Sequence, residues 1–190
     1  MRTNGSVSLI YNVKMLCGAL RTVVQIRAEA EKDWAAVRSV NESAFNRLAE
    51  ADLVAELREQ TRPVISLVAE DRGGIVGHIM FSRVLLANHP ELKIMGLGPM
   101  AISPEHQRQG IGSALVRAGL EECKELDFGA VVVVGHPEYY PRFGFTPAAL
   151  FGISCEYAVP EAAFMVIELQ SGYLGGASGE VKYHAAFKNV

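Results

Sequence analysis

The stretch from Met100 to Arg117 constrains the fold more than any other part of this 190-residue chain. It has the pattern of an apolar strand, a polar turn, two glycines and an amphipathic helix. After the second glycine, apolar or small side chains recur at helical spacing, at Leu115, Val116, Gly119, Leu120, Cys123 and Leu126. This spacing predicts a helix that begins near Gln109 or Gly110 and packs one face on a sheet.

The start of that helix is a candidate anion site. The first amide groups of a helix have no partner within it, and the helix dipole is positive at that end. Gly110 and Gly112 lack a Cβ, so phosphate oxygens can approach the backbone. Two other phosphate motifs do not match. Gly112 is followed by Ser113 and Ala114, where a P-loop needs Lys, and Leu115 stands where a dinucleotide fingerprint needs a small residue. We therefore expect neither ATP hydrolysis nor NAD binding.

Composition and charge exclude several other classes. Lys and Arg number 18 against 21 Asp and Glu, a net charge of -3, and no basic run is present, so no nucleic-acid partner is expected. Cys17, Cys123 and Cys155 show no Cys-x-x-Cys spacing, which indicates neither a disulfide framework nor a metal site. The apolar segment from Ser6 to Leu20 is interrupted by Lys14, so we expect no signal peptide and no membrane span. A cytoplasmic location is the expectation.

Periodicity along the chain predicts an α/β (α+β) fold, a mixed sheet of about seven strands flanked by helices. Two helices are predicted at Glu31 to Phe45 and Ala51 to Gln60. The strands are predicted at Thr22 to Arg27, Val64 to Glu70, Ile75 to Leu86, Leu92 to Ile102, Ala130 to Val134, Phe164 to Leu169 and Glu180 to Phe187. Gly96, Gly98 and Pro99 predict a bulge or a break in pairing within the strand that leads to the glycine-rich turn.

Two motifs resemble the signatures of one enzyme family. Residues Gln107 to Gly112 read Gln-Arg-Gln-Gly-Ile-Gly and match the Gln/Arg-x-x-Gly-x-Gly/Ala signature of the GCN5-related N-acetyltransferases, the GNAT family. Residues Tyr139 to Phe145 match a second signature, an aromatic pair shortly before Gly-Phe. The resemblance extends over about Val23 to Val190 and is greatest to the YhbS-type branch. It implies a GNAT domain at 22–190 after an N-terminal extension at 1–21, with two central strands that splay around the pantetheine arm of CoA.

The resemblance implies acetyl-CoA as the co-substrate and no metal. It assigns cofactor contacts to Met100, Ala101, Ile102, Gln107, Arg108, Gln109, Gly110, Ile111, Gly112, Ser113, Tyr140 and Arg142. Because Pro99 has no amide hydrogen, the Met100 amide is the nearest donor for the thioester oxygen. Tyr140 occupies the position of the family's thiol-facing tyrosine, so we expect it to be the general acid that protonates the leaving thiolate. Its alternative role, with Tyr139, is to close the core.

The family pattern does not identify the general base in this chain. Many members carry a glutamate on the disturbed strand, where this chain has Leu97 and no carboxylate between Lys93 and Ser103. Glu56 on the second helix and His78 on the hairpin are the two candidates. If neither is catalytic, Glu56 is a surface carboxylate and His78 is a histidine packed within its strand.

Together these patterns predict an N-acyltransferase that moves acetyl from acetyl-CoA to a primary amine by direct attack. The alternative is a non-catalytic acyl-CoA-binding or regulatory module on the same scaffold. The missing strand glutamate favours the alternative, and Tyr140 argues against it. We expect the acceptor to be a small-molecule or peptide amine, and exposed closing strands make a homodimer a hypothesis.

Overall fold

The computed structural model describes residues 11–17 and 20–190, which form a mixed sheet with helices on both faces. Its strands are β1 (Tyr11–Cys17), β2 (Leu20–Ala28), β3 (Val64–Asp71), β4 (Gly74–Leu86), β5 (His89–Ile102), β6 (Ala130–Val134), β7 (Thr146–Pro147), β8 (Ile153–Cys155), β9 (Phe164–Glu168) and β10 (Gly179–Lys182). Its α-helices are α1 (Trp34–Phe45), α2 (Ala49–Gln60) and α3 (Ile111–Glu125). Short 3-10 helices lie at Glu31–Asp33, Pro104–His106, Tyr140–Phe143, Ala148–Phe151, Glu161–Ala163 and Ala185–Asn189. No helix in these ranges is both long and apolar enough to cross a bilayer.

The strands follow the order β1-β2-β3-β4-β5-β6-β9-β7, and β10 joins the sheet beside β4 and β8. The β5–β6 and β8–β10 pairs are parallel, and the other described pairs are antiparallel. Over the described residues the sheet has 10 strands, against about seven predicted from the sequence. The additional strands are β1, which pairs with β2 along its length, and β7 and β8, which are too short to leave a periodic pattern.

The predicted final strand, Glu180 to Phe187, is wrong beyond Lys182. There β10 ends, and a 3-10 helix follows, capped by the His184 ring, which accepts a hydrogen bond from the Ala186 amide at 3.2 Å. The chain leaves the sheet because Ala186 and Phe187 pack against an apolar cluster that includes Leu53 and Leu57 of α2. This segment therefore covers a helix rather than extending the sheet.

Both faces of the sheet are covered, and β4 is buried between them. Ile79 and Phe81 belong to the cluster under α3, whereas Met80 belongs to the cluster under α1 and α2. Helix α3 approaches the sheet closely at Gly119, where a Cβ would lie 2.1 Å from Cε2 of Phe81. A residue with a side chain would hold α3 away from the sheet.

The two central strands separate at the predicted break. β5 pairs with β6 from Ile94 opposite Ala130 to Leu97 opposite Val133, and beyond that point β5 pairs only with β4. The register of β5 against β4 shifts between Leu97 and Met100, and Gly98 within that shift has φ 149°, a region that favours glycine. The bulge and the splayed central strands that the sequence predicts are both confirmed.

Candidate active site

A cleft of about 1310 Å³ opens where β5 and β6 separate. One side is formed by residues 97–100 of β5, and the other by Val134, Gly135 and His136 at the end of β6. The start of α3 lines one end of the cleft, beside Met100 and Ile102 of β5. The opposite end is lined by the α1–α2 turn, by the loop after β8 and by the C-terminal segment from Tyr183. Within residues 11–17 and 20–190, no group of three or more His, Cys, Asp or Glu side chains could hold a metal ion.

The glycine-rich turn forms an open helix start on the cleft wall. Gly110 is the N-cap residue of α3, with φ 89° and no side-chain cap, and the first helical hydrogen bond runs from the Ala114 amide to the Gly110 carbonyl at 3.0 Å. The amides of Ile111, Gly112 and Ser113 therefore have no partner within the helix. A Cβ on Gly112 would lie 3.0 Å from the Tyr139 hydroxyl oxygen, so only glycine leaves this backbone uncovered. The geometry fits an anion, as the sequence predicts.

Two arginines add positive charge beside this helix start. Arg108 and Arg142 are exposed and line the cleft. The Arg142 guanidinium lies 4.6 Å from the centre of the Tyr139 ring and donates to the Tyr139 carbonyl at 2.8 Å. Among the described residues, neither guanidinium forms a salt bridge with a carboxylate. Their charge is therefore available to an anionic ligand.

Tyr140 lies where β6 ends. Its side chain is buried, with 7% of the residue exposed, and its ring packs against Tyr139 and Phe145 at centroid distances of 5.1 and 5.6 Å. A Cβ on Gly135 would lie 2.2 Å from Cε2 of Tyr140, so the ring lies directly on the strand backbone. Burial raises the pKa of Tyr140 above its usual value near 10. The hydroxyl is therefore fully protonated at neutral pH and can donate a proton.

Most of the residues predicted to bind the cofactor line the cleft, namely Met100, Ile102, Gln107, Arg108, Gly110, Gly112, Ser113, Tyr140 and Arg142. The side chains of Ala101, Gln109 and Ile111 do not. Ala101 and Ile111 are buried, Ile111 in the core under α3, and the Gln109 side chain donates to the Glu105 carbonyl at 3.0 Å, which braces the turn. Any contact of Ala101 or Ile111 with a ligand in the cleft would therefore come from its backbone.

Neither candidate base lines the cleft. Glu56 is half-buried on α2 and, at 3.6 residues per turn, lies about 120° around the helix from Glu50, which does line the cleft. His78 is fully buried and hydrogen-bonded on both ring nitrogens, at 3.2 Å to Asn41 and at 2.9 Å to Ser66. Burial, followed by the charge of Arg58, lowers the pKa of His78 to about 3. The packed-histidine interpretation of His78 fits this environment.

Sequence reasoning missed the half of the cleft opposite α3. Its lining residues are Ala44, Phe45, Arg47, Glu50, Leu53, Tyr157, Ala158, Val159, Tyr183, Phe187 and Val190. No motif marks them, because they come from three separate segments that only the tertiary fold brings together. Tyr139 packs against the core cluster under α3, as its core-closing interpretation predicts, and its hydroxyl also lies 3.5 Å from Ser113 Oγ at the helix start.

The chain is similar in sequence to known acetyltransferases. Residues 63–147 match the family model described as "Acetyltransferase (GNAT) domain". The chain is 36% identical over 163 residues to the uncharacterized N-acetyltransferase YhbS of Escherichia coli strain K12, covering 85% of this chain and 97% of that protein. It is 40% identical over 135 residues to the uncharacterized N-acetyltransferase YjhQ of the same strain, covering 69% and 75%.

Solved structures agree with the sequence comparison. The crystal structure of YhbS from Escherichia coli in complex with CoA superposes with a TM-score of 0.82 at 35% identity and covers 91% of this chain and 95% of that one. A GNAT-family acetyltransferase from Brucella melitensis in complex with acetyl-CoA gives 0.72 at 34% identity and covers 86% and 97%. Identity at this level over nearly the whole chain, together with the splayed sheet and the open helix start, shows that the chain belongs to the GNAT family of N-acetyltransferases.

Proposed function

We propose that this chain binds acetyl-CoA in the cleft between β5 and β6 and transfers the acetyl group to a primary amine by direct attack. The observation that carries the proposal is the gap between the two strands, which ends at the unpartnered amides of α3. The complexes of the Escherichia coli relative with CoA and of the Brucella melitensis relative with acetyl-CoA support it.

The residues present fit the coenzyme from its diphosphate to its thiol end. The amides of Ile111, Gly112 and Ser113 would receive the diphosphate, and Arg108 and Arg142 would supply opposite charge. Beyond Leu97, the edge of β5 that faces the gap is not paired with β6. An extended pantetheine arm would pair with backbone groups of Met100 and Ile102 at this edge, as an added strand does.

Acetyl-CoA supplies an activated thioester, and the chain stabilises the charges that develop during transfer. We assign the Met100 amide as the donor to the thioester oxygen, and in other enzymes the loss of one such donor costs about 3–4 kcal/mol. Tyr140 would donate its proton to the leaving thiolate. An unperturbed phenol, with a pKa of about 10, gives its proton to a thiolate whose thiol has a pKa of about 8.5 at a cost of roughly 2 kcal/mol. Burial raises the pKa of Tyr140 and with it the cost of this proton transfer. We therefore propose that the proton moves only after negative charge has developed on the sulfur.

The amine must be neutral to attack, which costs roughly 4–5 kcal/mol at pH 7 for an alkylamine with a pKa of about 10.4. Because Glu56 is not among the cleft-lining residues and His78 is buried away from it, we propose that the amine enters in its neutral form. The rate should then rise with pH toward the pKa of the amine. Glu56→Gln should leave this profile unchanged, and a loss of rate at neutral pH that high pH recovers in that variant would restore Glu56 as the base.

An acetyl-CoA thiol-release assay across alkylamines, amino-acid esters, polyamines, aminoglycosides and peptide N-termini tests the activity, and calorimetry with CoA tests the site.

Gly110→Val should abolish CoA binding, because Gly110 has φ 89° and starts the anion site. Gly172→Val is the matched control, since Gly172 has φ 74° with open space around it and does not line the cleft. Undiminished CoA binding by Gly110→Val would overturn the cofactor site. Intact CoA binding without transfer to any amine class would favour the non-catalytic module.

A further inference from the structure

We infer that the acceptor is a monoamine carried on an aromatic or long alkyl body, selected by apolar contact rather than by charge. This inference rests on the proposed function, because it concerns the half of the same cleft that the amine would enter. We call this half the acceptor arm and define it by the eleven lining residues given above, from the α1–α2 turn, the loop after β8 and the C-terminal segment.

The acceptor arm has a continuous apolar and aromatic wall. Phe187 packs against the cluster that contains Leu53 of α2, and its ring centre lies 5.0 Å from that of Tyr183. The Tyr183 ring in turn lies 5.8 Å from the ring of Tyr157. The Tyr183 hydroxyl is buried without a hydrogen-bond partner among the described residues. Such a wall gains most from burying an apolar body.

The charged residues of the acceptor arm neutralise each other. Arg47 and Glu50 are its two charged side chains among the described lining residues. Glu50 is buried, with 5% of the residue exposed, and its two carboxylate oxygens lie 2.8 and 3.0 Å from Nε of Arg47. No further side-chain carboxylate lines this half among the described residues, and the one other anionic group that its lining can supply is the α-carboxylate of Val190. Polyamines and aminoglycosides, which carry several positive charges, would therefore lose hydration there and find at most one partner.

The two halves of the cleft therefore differ in what they recognise. The half at the start of α3 holds Arg108 and Arg142 without carboxylate partners, and it fits an anion. The acceptor arm holds a closed ion pair within an apolar wall, and it fits a body with a single amine.

The test compares 2-phenylethylamine with spermidine and kanamycin in the thiol-release assay. We expect kcat/KM for 2-phenylethylamine to exceed both others by at least tenfold. Phe187→Gln should lower kcat/KM for 2-phenylethylamine at least tenfold while the KM for acetyl-CoA stays within twofold, and Phe187→Leu should restore most of the loss. Phe151→Gln makes the same chemical change at a half-buried phenylalanine outside the cleft lining, and it should leave the amine preference unchanged.

Each outcome is decisive. Higher kcat/KM for spermidine or kanamycin, or a Phe187→Gln enzyme with unchanged amine kinetics, would overturn the inference and leave the proposed function intact. A wild-type enzyme that binds CoA in calorimetry but acetylates neither these three amines nor any other class of the wider panel would overturn the proposed function and the inference with it. Should Phe187→Gln fail to fold, the Phe187→Leu enzyme and the wild-type comparison of the three amines still decide the question.

Discussion

At the scale of single residues, the Tyr140 hydroxyl is the group with the most specific assigned chemistry. Tyr140→Phe removes the proposed acid and keeps the ring against Gly135. We expect kcat to fall about 100-fold or more, the usual contribution of a general acid, with the dissociation constant for CoA unchanged in calorimetry. Tyr173→Phe is the control, because the Tyr173 hydroxyl accepts from the Lys93 amide at 2.7 Å outside the cleft. An unchanged kcat in Tyr140→Phe would return Tyr140 to a packing role.

His78 should make the stability of the fold depend on pH. Its pKa is about 3 in the folded chain and about 6.5 when unfolded, so between these values the unfolded chain binds one more proton. The free energy of unfolding should therefore fall as pH falls below 6.5, by up to about 1.4 kcal/mol per pH unit from this residue. Denaturant titrations at pH 4 to 7 should show a smaller pH dependence for His78→Gln than for wild type.

His136→Gln is the control for His78→Gln, because His136 is exposed. That variant should keep the wild-type slope. Equal slopes for His78→Gln and wild type would contradict the prediction. The buried partners of the ring explain why it stays neutral: Asn41 donates to one ring nitrogen, and the other donates to Ser66, whose hydroxyl donates to Glu29 at 2.7 Å.

Residues within contiguous motifs were predictable, and residues assembled from distant segments were not. The helix start and Tyr140 lie within runs of six and seven residues, where spacing alone fixes their relative positions. Glu50 and Phe187 are more than a hundred residues apart, and only the packing of the C-terminal 3-10 helix on α2 brings their segments into one wall. The same limit applies to the base, since a helical wheel for α2 shows which residues share a face but not which face borders the cleft.

At the scale of secondary-structure elements, the approach of α3 to β4 depends on Gly119. An added Cβ there would lie 2.1 and 2.4 Å from two ring atoms of Phe81. We expect Gly119→Ala to lower the free energy of unfolding by about 2 kcal/mol, since overpacking costs about 1–3 kcal/mol and exceeds the gain in helix propensity. Gly74→Ala, where the nearest atom is 3.6 Å away, is the control in the same denaturant titration. A Gly119→Ala protein as stable as wild type would show that α3 can shift without cost.

Elements with long periodic patterns were predictable from the sequence, and short or irregular ones were not. β6 matches its prediction at both ends, because five consecutive apolar residues bounded by glycines read as a central strand. The strand predicted through Phe187 fails because the apolar residues after Lys182 face α2 instead of a neighbouring strand. Burial against a helix and burial in a sheet leave the same signal in a short apolar run.

At the scale of the whole molecule, β1 lies far from the cleft. β1 pairs with β2, and β3 and β4 separate β2 from β5. A chain that begins at Leu20 loses the β1 pairing and the packing of Tyr11 on the core, so its melting temperature should fall. Its dissociation constant for CoA should stay within twofold of wild type. Lost CoA binding in a chain that still shows a folded circular-dichroism spectrum would mean that the domain begins before residue 22.

The sheet edge at β1 also keeps the homodimer as a hypothesis. Among the described strands, β1 pairs only with β2, so its outer edge presents backbone groups that a second copy could pair. Sedimentation should then show a species of twice 20.6 kDa. A single 20.6 kDa species for the full chain at every concentration would remove the hypothesis.

The cleft draws its two halves from different stretches of the polypeptide. Residues 97–142 line the half proposed to hold the coenzyme, whereas residues 44–53 and 157–190 line the half proposed to receive the amine. Exchanging the α1–α2 turn and the C-terminal segment for those of another acetyltransferase should therefore change which amine is modified without disturbing coenzyme uptake. A scaffold divided in this way lends itself to redesign of acceptor choice by segment replacement.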